Sequence, residues 1–150
     1  MTADLIFAWI HFAGAFLVFG ALFAQAALLM TGPAKVGYTR LARMDVIYLC
    51  GAAAVLIGGV LRVAYGARGA AFYLENPAFH LKMTLFVVIA LISIWPTISV
   101  IKWGRAAKAD PAFIPAPKAL KRVKMLVHVE MTLLVILILT ASVMARYYTL

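Results

Sequence analysis

Four apolar runs, at about residues 4–31, 44–65, 78–101 and 123–146, constrain this chain more than any other feature. Each reaches the roughly 20 residues that a helix needs to cross hydrocarbon. Their sum explains why 66% of the 150 residues are hydrophobic and only 13% charged, a balance that one soluble core of this size could not bury. The expectation is an all-α integral membrane protein: a single transmembrane domain over residues 1–150, folded as an up-down-up-down four-helix bundle.

Local punctuation supports these boundaries. Gly32-Pro33 ends the first run, in which only His11 and Gln25 interrupt the apolar pattern. Residues Gly66 to Glu75 read as a glycine-rich connection. Asn76-Pro77 reads as an N-cap followed by proline in the first helical turn. Pro96 predicts a kink near the end of the third span. Pro111, Pro115 and Pro117 mark the longest loop, with the fourth helix starting near Pro117 and entering the membrane after Lys124. The first run precedes an Ala24-Gln25-Ala26 that resembles a signal-peptide cleavage site. Asp4 stands where such a peptide needs basic residues, so the run is expected to be a retained helix. The single cysteine, Cys50, falls inside a span and allows no intramolecular disulfide.

The net charge of +9 is distributed for a membrane and not for nucleic acid. Ten of the fourteen Lys and Arg lie in the two connections that follow the first and third spans: Lys35, Arg40 and Arg43, then Lys102, Arg105, Lys108, Lys118, Lys121, Arg122 and Lys124. Arg62, Lys82, Arg68 and Arg146 are left for the other side. The positive-inside rule then places both basic connections in the cytoplasm and both termini outside a bacterial inner membrane. The basic start of the fourth helix faces anionic lipid head groups. Tyr38 and Trp103 on one side, and Trp9, Tyr65, Tyr73, Tyr147 and Tyr148 on the other, are expected to form interfacial aromatic belts.

Polar side chains inside hydrocarbon are costly and mark candidate sites. On this topology His11, Arg62, His80 and Lys82 fall in the outer half, and Asp45, His128 and Glu130 in the inner half. A neutral His11 is able to ligate a metal or haem iron, or simply to bond a neighbouring helix. His80 and Lys82, two residues apart, point to nearly opposite faces, so at most one faces the bundle centre. Lys82 is either a ligand or proton carrier, or a side chain snorkelling to the head groups. Gly51, Val55, Gly58 and Arg62 share a face that suits a porphyrin with its propionate on Arg62, or ordinary close helix packing. In the inner half Asp45 is placed to meet His128, or to form an ion pair with Arg43 or a loop lysine. Glu130 points away from His128. No Cys-x-x-Cys-His, glycine-rich phosphate loop, His-Glu-x-x-His or serine nucleophile motif occurs.

Five segments together carry a resemblance: Leu41-Ala-Arg-Met-Asp45, Gly58-Gly-Val-Leu-Arg62-Val, the stretch from Gly69 through Asn76-Pro77 to His80-Leu-Lys82, Ser93-Ile-Trp-Pro-Thr97 and Met144-Ala-Arg-Tyr147. In that order they resemble the bacterial four-helix membrane proteins grouped as domain of unknown function 2214, which implies the fold and leaves the activity open. His11 together with His80-Leu-Lys82 is also similar to HemJ-type protoporphyrinogen oxidases, which place a histidine in helix 1 and His-x-Lys at the start of helix 3. That second resemblance implies haem b and assigns binding and activity to His11 and Lys82. The leading expectation is therefore a haem-b membrane redox protein passing electrons to a quinone or another respiratory-chain partner. It would have His11 as an axial ligand, Lys82 or His80 on the other side and Arg62 on the porphyrin carboxylates. The alternatives are a non-enzymatic subunit or assembly partner of a larger complex, and a small transporter or proton-conducting homodimer.

Overall fold

The computed structural model describes residues 2–146, so Tyr147 and Tyr148 of the expected outer belt lie outside the described residues. The helices are α1 (Thr2–Met30), α2 (Tyr38–Tyr65), α3 (Gly69–Leu74), α4 (Pro77–Ala109) and α5 (Pro117–Arg146). All but α3 are long and apolar enough to cross a membrane. The expected four-helix bundle is present. α1 packs on α2, α2 on α4, α4 on α5 and α5 on α1, which closes a ring of four spans.

Three boundaries differ from the sequence expectation. α2 begins at Tyr38, so Arg40 and Arg43 ride on its first turns and not in a loop. α4 continues to Ala109 and carries Lys102, Arg105 and Lys108 on a helical extension past the apolar run. The glycine-rich connection contains the short helix α3, entered through Gly69 at φ 74°, a left-handed value that glycine adopts without strain. In α2 and α4 helical propensity continues past the apolar stretch, because charged residues stop a membrane span without stopping a helix.

The outward faces are apolar, as lipid requires: Trp9, Phe12, Phe16, Phe23, Leu91, Ile94 and Leu139 are all exposed. Inside, α1 and α2 meet along a glycine seam. A Cβ on Gly14 would lie 2.7 Å from the Val55 nitrogen and 2.8 Å from the Gly51 oxygen, and one on Gly58 would lie 2.6 Å from the His11 nitrogen. Backbone therefore fills the space that a side chain would need. This decides the reading of the Gly51–Gly58 face: it receives α1 and has no room for a flat ligand.

The buried apolar cluster is lopsided. Its members are Val18, Ala21, Leu22, Ala26 and Leu29 of α1, Tyr38, Leu41 and Tyr48 of α2, Val100 and Trp103 of α4, and Leu120, Val123 and Val127 of α5, with Val36 from the loop. All lie in the half nearer the basic connections. Tyr38 and Trp103 are 5% and 8% exposed and pack edge to face at 5.9 Å, and the Tyr38 hydroxyl donates to the Pro33 carbonyl at 2.8 Å. They are core residues of the basic-loop end, not members of a lipid-facing belt. Tyr73 is likewise buried. Trp9 and Tyr65 are exposed, at 70% and 73%. At the opposite end, fully buried Asn76 caps α4 by accepting from Ala78 N at 3.0 Å. Its Nδ2 also donates to the Met144 carbonyl at 3.2 Å, tying the start of α4 to the end of α5.

Candidate functional site

Two groups of polar residues occupy the interior, one toward each end. The first sits within the apolar cluster of the basic-loop half, with Gln25 between Leu22 and Leu29 along α1 and Asp45 between Leu41 and Tyr48 along α2. Asp45 lies seven residues into α2, about 10 Å along the axis from its first residue. Its Oδ1 accepts from Gln25 Nε2 of α1 at 3.3 Å and from Thr97 Oγ1 of α4 at 3.2 Å. The Tyr48 side chain, one turn further along α2, lies within hydrogen-bonding reach of Ser93 on α4 and of Glu130 on α5. All four long helices thus contribute to one network.

Gln25, Asp45 and Glu130 are each 2% exposed. Asp45 Oδ2 and Glu130 Oε1 are buried with no hydrogen-bond partner. The partners that these carboxyls do have, Gln25, Thr97 and Tyr48, are neutral. The two carboxyls also act on one another electrostatically. Two buried anions with no cation beside them would cost several kcal/mol each, so such a pair holds a proton or a bound cation. Among the described residues there is no group of three or more His, Cys, Asp or Glu able to hold a metal ion.

His128 takes no part in this network. It is exposed on α5, and its Nδ1 lies 2.6 Å from the Lys124 carbonyl one turn back. The expected meeting of Asp45 with His128 therefore does not occur, because α5 turns Val127 and Glu130 inward and His128 outward. Nor does Asp45 pair with Arg43, which is exposed on the lipid-facing or head-group side of α2. Sequence reasoning passed over Gln25, Tyr48, Ser93 and Thr97. The available signal was spacing: Asp45 and Tyr48 at i, i+3, Ser93 and Thr97 at i, i+4, and a lone glutamine in an apolar run.

The second group lies toward the terminal end. His11 fits against Gly58 and Gly59, and its Nδ1 is 2.8 Å from the Val55 carbonyl. In the tautomer with the proton on Nδ1, the ring donates to that carbonyl and keeps the Nε2 lone pair free. Lys82 of α4 and Arg62 of α2 act electrostatically on one another, and both act on His11. The Arg62 guanidinium also stands over the Phe12 ring, 5.3 Å from its centroid, while its Nε is buried without a partner. His80 is exposed, with Nε2 2.8 Å from the Leu74 carbonyl. Of the pair two residues apart, Lys82 is the half-buried member.

As a haem pocket this group is incomplete. The glycine face expected to receive the porphyrin is filled by the backbone of α1, and His80 is held by its own connection away from His11. His11, Arg62 and Lys82 remain as a cluster that is able to bind an anion or to offer one imidazole nitrogen. No step through a haem follows from it.

Comparison with curated proteins finds no match, and comparison with solved structures finds none either. Neither adds support to the HemJ-type resemblance. A family model described as "Predicted membrane protein (DUF2214)" matches residues 3–148, which takes in all four spans and both polar groups. The chain therefore belongs to the DUF2214 family of predicted membrane proteins.

Proposed function

We propose that this membrane protein handles protons, and that the Asp45–Glu130 pair is the group that takes them up and releases them. The observation that carries the reading is the pair of buried, unpartnered carboxyl oxygens, Asp45 Oδ2 and Glu130 Oε1, in a network whose other members are neutral. A network built only to fasten helices would satisfy every member, since each unsatisfied buried group costs about 1–3 kcal/mol. A proton on each carboxyl removes the charge that the site cannot pair. Tyr48, within reach of Glu130 and a neighbour of both acids, is placed to pass it along.

Proteoliposomes with a pH-sensitive dye inside test this directly. Wild type is expected to dissipate an imposed pH gradient, while Asp45→Asn and Glu130→Gln, which keep shape and hydrogen-bonding capacity, are expected to hold it. Infrared difference spectra over a pH titration should show a carboxylic-acid band that each substitution reduces. Equal flux and unchanged bands in all three proteins would refute the proposal.

A second reading, haem b ligated by His11, rests on the His11–Val55 bond, which leaves Nε2 as a lone-pair donor in one tautomer. It is decided by oxidised and reduced absorption spectra of wild type and His11→Ala, each expressed with ample haem. A b-type spectrum lost in the variant supports it, and colourless wild type removes it.

A further inference from the structure

We infer that Arg62 and Lys82, with His11 beneath them, form a binding site for a phosphate-bearing anion at the terminal end of the bundle, independent of the carboxyl pair. The cluster draws one residue from each of α1, α2 and α4, so the packing of three spans assembles it. Arg62 and Lys82 are two cations near enough to act on one another, and like charges repel. No carboxylate is among the groups acting on Lys82 or His11. Among the described residues neither acid near this end forms an ion pair with Arg62 or Lys82. Asp4 Oδ1 accepts from Ala67 N at 3.1 Å, and Glu75 is exposed just beyond α3.

The arginine is the informative member. Its planar face is spent on Phe12, but its Nε donor is buried and unpartnered. A guanidinium cannot shed its charge, so a buried donor without an acceptor is a cost that a bound acceptor would remove. Depth points to the ligand's chemistry. Arg62 is three residues from the end of α2, about 5 Å, and Lys82 five residues from the start of α4, about 8 Å. That is the level at which lipid phosphates approach the hydrocarbon. A phosphate takes two hydrogen bonds from the edge of an arginine and a third from a lysine, and it cancels the repulsion between them. Simple snorkelling leaves the inner donor, Nε, unsatisfied; a phosphate at the mouth of the cluster would satisfy it once Arg62 turns that edge outward.

Thermal unfolding in a neutral detergent tests the site, with phosphatidylglycerol, phosphatidylcholine or inorganic phosphate added in turn. A ligand that binds only the folded state raises Tm. Phosphatidylglycerol is expected to raise the Tm of wild type. Most of that rise should be lost in Arg62→Gln/Lys82→Gln and kept in Arg62→Lys/Lys82→Arg, which preserves charge and shows that the variants fold. The control Lys118→Gln/Lys121→Gln removes two charges from the other end and should keep the rise. A rise with inorganic phosphate as well, lost in the same variant, would identify a soluble phosphate as the source in place of a lipid. The proposal is overturned if no phosphate compound shifts wild type, if phosphatidylcholine shifts it equally, or if the glutamine pair keeps the shift. A loss as large in the Lys118/Lys121 control would overturn it too.

Discussion

The glycine seam makes a prediction whose sign depends on position alone. Gly14 and Gly20 both lie in α1 and are less than two turns apart. A Cβ at Gly14 would press on the Val55 nitrogen at 2.7 Å, the Gly51 oxygen at 2.8 Å and the Ala54 Cβ at 2.9 Å. Two of the three are backbone atoms of α2, which cannot rotate aside, so α1 has to move as a unit. Overpacking of this kind costs about 1–3 kcal/mol. At Gly20 a Cβ would meet nothing within 4 Å. Alanine there gains only helix propensity, about 0.8–1 kcal/mol. The propensity gain is common to both positions, so the same one-carbon change should stabilise at position 20 and destabilise at position 14 where overpacking outweighs it, and the gap between the variants is the overpacking alone, about 1–3 kcal/mol. Reversible denaturant unfolding in mixed micelles, followed by tryptophan fluorescence, measures both against wild type. If Gly14→Ala unfolds at the same denaturant concentration as Gly20→Ala, α1 and α2 are not in backbone contact and the seam is wrong.

Four further outcomes check other parts of the structure. Asn76→Ala removes both the cap on α4 and the tie to Met144, and should cost about 1–3 kcal/mol in the same unfolding assay. His128→Ala should change stability by less than about 0.5 kcal/mol, because the ring is exposed and bonded only to its own helix; Tyr38→Phe, which strands the Pro33 carbonyl, should cost about 1 kcal/mol. If the basic connections face the cytoplasm, a C-terminal alkaline phosphatase fusion is active in cells and a C-terminal green fluorescent protein fusion is dark, and the reverse pattern inverts the topology.

The four spans were legible because hydrocarbon accepts little else: length and the absence of charge decide the matter residue by residue. Helix ends were less so, since Arg40, Arg43 and Lys102 stop a span without stopping a helix. Rotation about the helix axis was the harder quantity. Asp45 and His128 belong to the same layer by depth, yet α5 turns His128 to the outside and presents Glu130 to Tyr48. About 100° per residue separates neighbours on a helix, so depth alone assigns a layer but not a partner. The Gly51–Gly58 face was equally readable as a ligand shelf or a packing seam, and only the position of α1 distinguishes them. Gln25, Tyr48, Ser93 and Thr97 were not assigned to a site because each is tolerable alone in a span, and their meaning lies in convergence.

The lopsided core also fixes which way the carboxyl pair can communicate with the outside. On the basic-loop side Leu29, Leu41, Val100 and Val127 follow directly after Gln25, Asp45, Thr97 and Glu130, and none is more than 2% exposed. Tyr38, Trp103 and Val123 form a further course behind them. On the terminal side Leu22, Ala21 and Val18 of α1 and Ile89 of α4 stay buried, while Ala52, Val55 and Leu134 are only partly covered. The packing is thus tightest on the basic-connection side of the pair, so a path opened that way requires all four spans to part, whereas a path toward the termini requires fewer side chains to move.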